Sequence, residues 1–208
     1  MDRLLSGIKK FRLEVLEEQE DFYESLRREQ HPHTLFITCS DSRILPSRIT
    51  GTNPGELFVV RNVANIVPPY RVTDEYVATT SAIEYAVKAL KVKHIIICGH
   101  SNCGGCSASL HQTAEKMDLP HTQRWLELLD EVREKVVALE KEPLIQEVMM
   151  EEANILAQLE NLRTFPEIKE REERGEIDIH GWYYDIGTGE VLEYIEDLGK
   201  FTVINEIE

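Results

Sequence analysis

The run His94-Ile95-Ile96-Ile97-Cys98, closed by Gly99, constrains the fold more than any other stretch of the chain. It is almost continuously apolar, rich in β-branched residues and bounded by glycine. Such a run suits a strand covered on both faces, as in the centre of a parallel sheet. Parallel strands need long crossovers, usually helical, and the flanking sequence supplies them. Thr34 to Cys39 is a second short apolar run after Pro32, and Glu56 to Asn62 a third. Between the third run and His94, Thr73 to Leu90 carries Ala78, Ala82, Ile83, Ala86, Val87 and Leu90 at helical spacing. Helical patterns follow over Gln123 to Lys141 and Leu144 to Leu162. Strand patterns over Glu176 to Asp185 and Glu190 to Ile195 then flank Ile186-Gly187-Thr188-Gly189 as a hairpin. Ahead of the sheet, Leu4, Ile8, Phe11, Val15, Phe22 and Leu26 recur among charges, which predicts one long or once-broken amphipathic helix from Arg3 to Glu29. The expected fold class is α/β: a mainly parallel central β-sheet flanked by helices, with a long N-terminal helix and a C-terminal antiparallel hairpin. Residues 1–208 are expected to form a single domain.

Composition decides what such a domain can touch. The 23 Lys and Arg stand against 38 Asp and Glu, a formal net charge of −15, which opposes any surface that must neutralise phosphates. Nucleic acid and anionic membranes are thereby poor partners. No window approaches the roughly 18 apolar residues of a membrane span, and the charged N-terminus lacks an apolar signal core. A cytoplasmic location is expected, with thiols kept reduced. The acidic runs at Glu151-Glu152 and Glu170 to Glu173 read as solvated helix faces.

The four cysteines are too few for a disulfide scaffold, and three of them, Cys98, Cys103 and Cys106, crowd beside a histidine. His100 and Cys103 stand three positions apart just past the central strand, close enough to share a metal. A protein zinc site usually needs at least three ligands, and Cys39 is the candidate for the third. It ends another predicted strand, and α/β folds place ligands at the carboxyl ends of their strands. Two thiolates and one imidazole leave a fourth position open to water or substrate, the pattern of catalytic zinc. In Cys39-Ser40-Asp41-Ser42-Arg43, a carboxylate two residues from the thiolate can hold the hydroxide that a metal makes from water. The guanidinium two further on can keep that carboxylate ionised and oriented.

Cys39-Ser40-Asp41-Ser42-Arg43 and His100-Ser101-Asn102-Cys103-Gly104-Gly105, with Arg61-Asn62-Val63-Ala64-Asn65 between them, closely resemble the motifs of the β-class carbonic anhydrases. The likeness runs from about Gln30 to Gly105 and weakens beyond. It implies Zn2+ on Cys39, His100 and Cys103, a catalytic dyad of Asp41 and Arg43, and reversible hydration of CO2 to bicarbonate and a proton by zinc-bound hydroxide. Gln30, Tyr70 and Tyr85 sit where the plant-like subgroup lines its CO2 pocket with glutamine, phenylalanine and tyrosine, so Tyr70 departs by one hydroxyl. Phe36 and Thr38 occupy positions that resemble a tryptophan and a glycine in the bicarbonate-inhibited subgroup. The resemblance further implies a homodimer with the N-terminal helix wrapped on its partner and the pocket completed across the interface, or a larger assembly of such dimers such as a tetramer.

Each signal has a plainer reading. Any one of the three candidate ligands alone would be a buried thiol or a satisfied histidine, and Asp41 with Arg43 could be a structural ion pair. Cys98 belongs to the strand core. Cys103-Gly104-Gly105-Cys106 has the form of a redox motif, though Cys103 is already claimed as a ligand. Gly104 and Gly105 permit a tight turn, and the Gly104 backbone can also face substrate. Two other functions fit the same residues: hydrolysis of carbonyl sulfide or carbon disulfide on a related scaffold, or a structural zinc module with a closed coordination shell.

Overall fold

The computed structural model describes residues 1–75 and 77–204, which fall into two units, Met1–His31 and Pro32–Glu208. In the first, α1 (Asp2–Lys10) runs into a π-helical stretch, Phe11–Leu16, and α2 (Glu20–Ser25) follows. The break falls at Gln19, whose φ of −124° and ψ of 31° leave the helical region, so the predicted helix is the once-broken form. None of these helical residues is buried.

The second unit is built on a six-stranded sheet. β1 (Thr34–Cys39), β2 (Leu57–Asn62), β3 (His94–His100) and β4 (Asp178–Tyr184) are parallel, and β5 (Val191–Ile195) and β6 (Lys200–Val203) extend the sheet antiparallel. The order is β2-β1-β3-β4-β5-β6. The chain thus winds outward to β2 and returns to the other side of β1, which makes the carboxyl ends of β1 and β3 a topological switch point, the usual ligand crevice of an open α/β sheet. All six residues of β1 are buried, as are the last six of β3, in keeping with two covered faces. The C-terminal addition is larger than a hairpin: β4 belongs to the parallel sheet, and β6 adds an edge strand.

Helices cover the sheet. α3 (Pro46–Thr50) follows β1, and α4 (Ala78–Glu84) continues as a π-helical turn, Tyr85–Ala89. The predicted start at Thr73 overshoots, because the Thr73 hydroxyl accepts the Glu75 amide, a local bond that competes with helix. Ala78 lies outside on the exposed side, while Ile83, Ala86 and Val87 pack with Leu35, Ile37, Ile95 and Ile97. After β3 come α5 (Gly104–Leu110), α6 (Thr113–Lys116), α7 (Pro120–Leu126), α8 (Asp130–Leu139), α9 (Pro143–Arg163) and α10 (Pro166–Glu173). α9 faces the sheet with Ile155, Leu159 and Leu162 buried in the same core.

The expectation of a solvated face at Glu151-Glu152 is corrected here. Glu151 is only 4% exposed, on the inner side of α9, and both its oxygens accept hydrogen bonds. In the second acidic run, Arg171 is buried and its guanidinium donates to the carbonyls of Val87 and Val92.

Candidate metal centre

The register of β1 and β3 brings two of the candidate ligands together. Thr38 pairs with Cys98, so Cys39 and His100 both project from the carboxyl ends of adjacent strands. A turn through Asn102, whose φ is +55°, then delivers Cys103 to the N-cap of α5. One ligand atom from each of Cys39, His100 and Cys103 lies within 4.8 Å of the others, and all three residues are buried. The two sulfurs are 3.9 Å apart.

The imidazole is set for ligation. Its Nδ1 lies 3.0 Å from the Ser101 carbonyl, a contact that only an N–H can make, which leaves Nε2 as the acceptor. That Nε2 is fully buried and has no hydrogen-bond partner. A buried acceptor without a hydrogen-bond partner, beside two thiols, suits a borderline-soft cation. The thiols carry the complementary signature. Cys39 is pushed up to about 12 by its contact with Cys103 and by burial, and Cys103 to about 12 by Cys106 and by burial. Without a cation, adjacent buried thiolates repel and are poorly solvated. A dication reverses both effects. For His100, burial lowers the pKa, yet Cys39, the Ser101 carbonyl and Asp41 outweigh it and the net direction is upward. The donor set, two sulfurs and one nitrogen with no fourth protein ligand among the described residues, fits zinc with one open position.

Beside the cluster stands a fixed carboxylate. Arg43 Nε donates to Asp41 Oδ1 at 2.9 Å and a terminal nitrogen donates to Oδ2 at 2.7 Å, a two-point pair whose strength comes from charge on both sides. The Arg43 amide adds a third bond, to Oδ1. These contacts hold the carboxyl of Asp41 well below the usual carboxylate range, so it is ionised. Asp41 Oδ2 faces His100 Nε2 across 4.0 Å. Arg61, unassigned from sequence, proves to be a brace: it donates to the carbonyls of Cys39 and Asp41 and so pins the loop that carries both. The rest of its motif has a structural task. Ala64 and Asn65 adopt φ of +62° and +47°, a left-handed turn that costs a residue with a Cβ roughly 1–2 kcal/mol. Asn62 closes this turn on Ile66, and Asn154 and Gln158 of α9 bind the Ala64 carbonyl and Val67 amide.

A family model for carbonic anhydrase matches residues 34–191. A carbonic anhydrase of Synechocystis sp. is 43% identical over 216 residues, covering 100% of this chain and 77% of that protein. The chain belongs to the β-carbonic anhydrase family. Solved structures agree with that placement: the β-carbonic anhydrase CcaA superposes with a TM-score of 0.88 at 42% identity, covering 98% of this chain and 91% of that one. A tetrameric β-carbonic anhydrase of Sordaria macrospora gives 0.76 at 34%, covering 97% and 98%. β-Carbonic anhydrases are zinc enzymes, and the Cys39, His100 and Cys103 cluster is the group that could hold that metal here.

The remaining pocket expectations fare differently. Gly104 adjoins the cluster at the first position of α5. Tyr70 packs on Phe165 at 5.3 Å and lines a cavity of about 130 Å3 with Ile83, Glu84 and Lys88, a set containing no candidate ligand. Tyr85 is half exposed against Phe58, and Gln30 is exposed in the first unit. Cys98 is fully buried in β3, as expected of core. Sequence reasoning missed Glu151, which accepts the Cys103 amide through Oε1 and the Tyr183 hydroxyl through Oε2, each at 2.8 Å. Burial raises its pKa against those bonds.

Proposed function

We propose that the chain hydrates CO2 to bicarbonate and a proton at the Cys39, His100 and Cys103 cluster, with Asp41 orienting the attacking oxygen and Arg43 holding Asp41. The observation that carries this reading is Asp41, held at both carboxylate oxygens by Arg43 and 4.0 Å from Nε2 of His100 in the Cys39, His100 and Cys103 cluster. Zinc held there by Cys39, His100 and Cys103 would supply the Lewis acidity that makes hydroxide available near neutral pH. Asp41 would accept a hydrogen bond from the attacking oxygen and so aim that oxygen's free lone pair at the carbon of CO2. Because its pKa is depressed, Asp41 stays a hydrogen-bond acceptor throughout and does not take the proton for itself. Moving Asp41 onto a bound metal would break both side-chain bonds from Arg43, which favours leaving room for water and substrate at the cluster. The Arg43 link to the Asn102 carbonyl, 3.0 Å, ties this dyad to the turn that carries Cys103.

The pocket is proposed to be of the plant-like kind, with Gly104 facing substrate and Gln30, Tyr70 and Tyr85 contributing where two copies meet. Support comes from the exposure of Tyr70 and Tyr85, at 38% and 50%. Phe36 and Thr38 are committed to the core, Phe36 edge-on to Trp182 and Thr38 bonded to the Cys98 carbonyl, which favours the absence of a regulatory bicarbonate site there. The working unit is proposed to be a homodimer or a larger assembly of dimers, with the first unit's exposed Leu4, Ile8 and Leu13 covered by a second copy. A cytoplasmic setting suits four free cysteines. No described helix is long and apolar enough to cross a membrane.

Two variants test the assignment. Asp41→Ala is expected to retain stoichiometric zinc and lose activity by about a hundredfold or more, the range for removal of one preorganised hydrogen-bonding group at a reacting oxygen. Cys103→Ala is expected to lose both. Full activity in Asp41→Ala would remove the dyad from the mechanism.

A further inference from the structure

We propose that Glu151 is a positioning residue for the zinc site, acting through the backbone of Cys103; this rests on the reading of Cys103 as a ligand. Glu151 sits forty-eight residues from Cys103, on the buried side of α9, and makes no ion pair among the described residues. Burying a carboxylate without a cation is costly, and a helix position facing an apolar core does not require one. What the carboxylate does is specific. Oε1 takes the Cys103 amide at 2.8 Å, and Oε2 takes the Tyr183 hydroxyl at 2.8 Å, so the group is held at both ends, by the turn after β3 and by β4.

Cys103 is held through its carbonyl by the Ser107 amide and through the preceding Asn102 carbonyl by Arg43, and Glu151 is the acceptor of its own N–H. Cys103 lies between Asn102, in the left-handed region, and the short helix α5, with φ of −72° and ψ of 113°. A rotation of its peptide plane would swing the Cα–Cβ bond and carry the sulfur away from Cys39 and His100. A strong acceptor on its N–H fixes that plane. Neighbouring residues of α9 do the same for the loop below: Asn154 and Gln158, three and seven positions on, hold the Ala64 carbonyl and the Val67 amide. One polar edge of a single helix thereby sets both the ligand turn and the strained loop against which Gly105 packs.

The claim concerns an acceptor, so the acceptor is what the test varies. Glu151→Gln can keep both bonds, accepting from Cys103 with its carbonyl and donating to the Tyr183 oxygen with its amide, while Glu151→Leu fills the space and accepts nothing. Each is measured for zinc affinity by chelator competition and for the thiolate-to-metal charge-transfer band of the cobalt-substituted protein. Glu151→Leu should weaken zinc binding about 10- to 100-fold and move the cobalt band, with Glu151→Gln within about threefold of the unaltered protein, the scale on which outer partners of metal ligands act. A folded Glu151→Leu protein with unchanged affinity and spectrum would overturn the proposal, as would a Glu151→Gln protein as impaired as Glu151→Leu. Should Glu151→Leu fail to fold, nitrogen-labelled cysteine in the unaltered zinc protein decides: a Cys103 amide resonance far downfield and protected from exchange supports the bond, and a rapidly exchanging one refutes it. If the unaltered protein binds no zinc, or binds it equally well as Cys103→Ala, the ligand reading itself has failed; variants that match a zinc-binding parent sink only the role of Glu151.

Discussion

At the scale of residues, the metal centre is a contest between repulsion and coordination. Two thiols 3.9 Å apart, each pushed up to about 12, hold their protons at neutral pH in the metal-free protein. The raised pKa favours the protonated form everywhere below it, and ligation requires the thiolate, so zinc must displace the protons. Uptake of zinc at pH 8 in weak buffer should therefore release about two protons per ion, and apparent affinity should rise by up to about a hundredfold per pH unit. Calorimetry in buffers of different ionisation enthalpy measures the count. Release of none would mean that the thiols are not the ligands. The Cys39, His100 and Cys103 cluster and the Asp41–Arg43 pair were legible in sequence because their spacing is local: His100 and Cys103 share one turn, and Cys39, Asp41 and Arg43 share another. Glu151 was not legible, since an acidic residue on a charged helix gains its meaning only from a contact forty-eight residues away. Arg61 stood in a recognisable motif, yet its task, bonding two carbonyls across a strand pair, depends on the β1 and β2 register.

At the scale of elements, the strands were the readable part, because runs apolar on both faces have few alternatives to the centre of a parallel sheet. Helix ends were less so: Thr73 and Gln19 stop or break their helices through local backbone choices that periodicity does not encode. The paired glycines that open α5 show how far identical residues can differ. A Cβ on Gly105 would meet the Ala64 Cβ at 2.8 Å and Val63 Cγ1 at 2.9 Å, whereas one on Gly104 meets nothing within 4 Å. Gly105→Ala should cost about 1–3 kcal/mol by overpacking a loop that cannot retreat, and for a chain of this length each kcal/mol lowers Tm by about 2–4 °C. Gly104→Ala should match or exceed the parent by up to about 1 kcal/mol. Equal melting temperatures for the two variants would show that the contact of α5 with the Val63–Asn65 turn is not tight.

At the scale of the whole molecule, the first unit presents an apolar stripe to its surroundings. Leu4, Ile8, Phe11 and Leu13 are between 45% and 67% exposed, an apolar stripe that a second copy can cover. Sedimentation of the full chain should give an even multiple of the protomer mass, and the double substitution Ile8→Glu with Phe11→Glu should shift it toward smaller species; a monomeric parent would contradict the assembly. The chemistry of the site is tested most directly by stopped-flow pH-indicator measurement of CO2 hydration on the purified protein, made as isolated, after removal of metal by a chelator, and after zinc is restored. Rapid hydration that vanishes with the metal and returns with zinc is the predicted result. A folded protein loaded with zinc that hydrates CO2 no faster than buffer, at neutral and at alkaline pH, would contradict it.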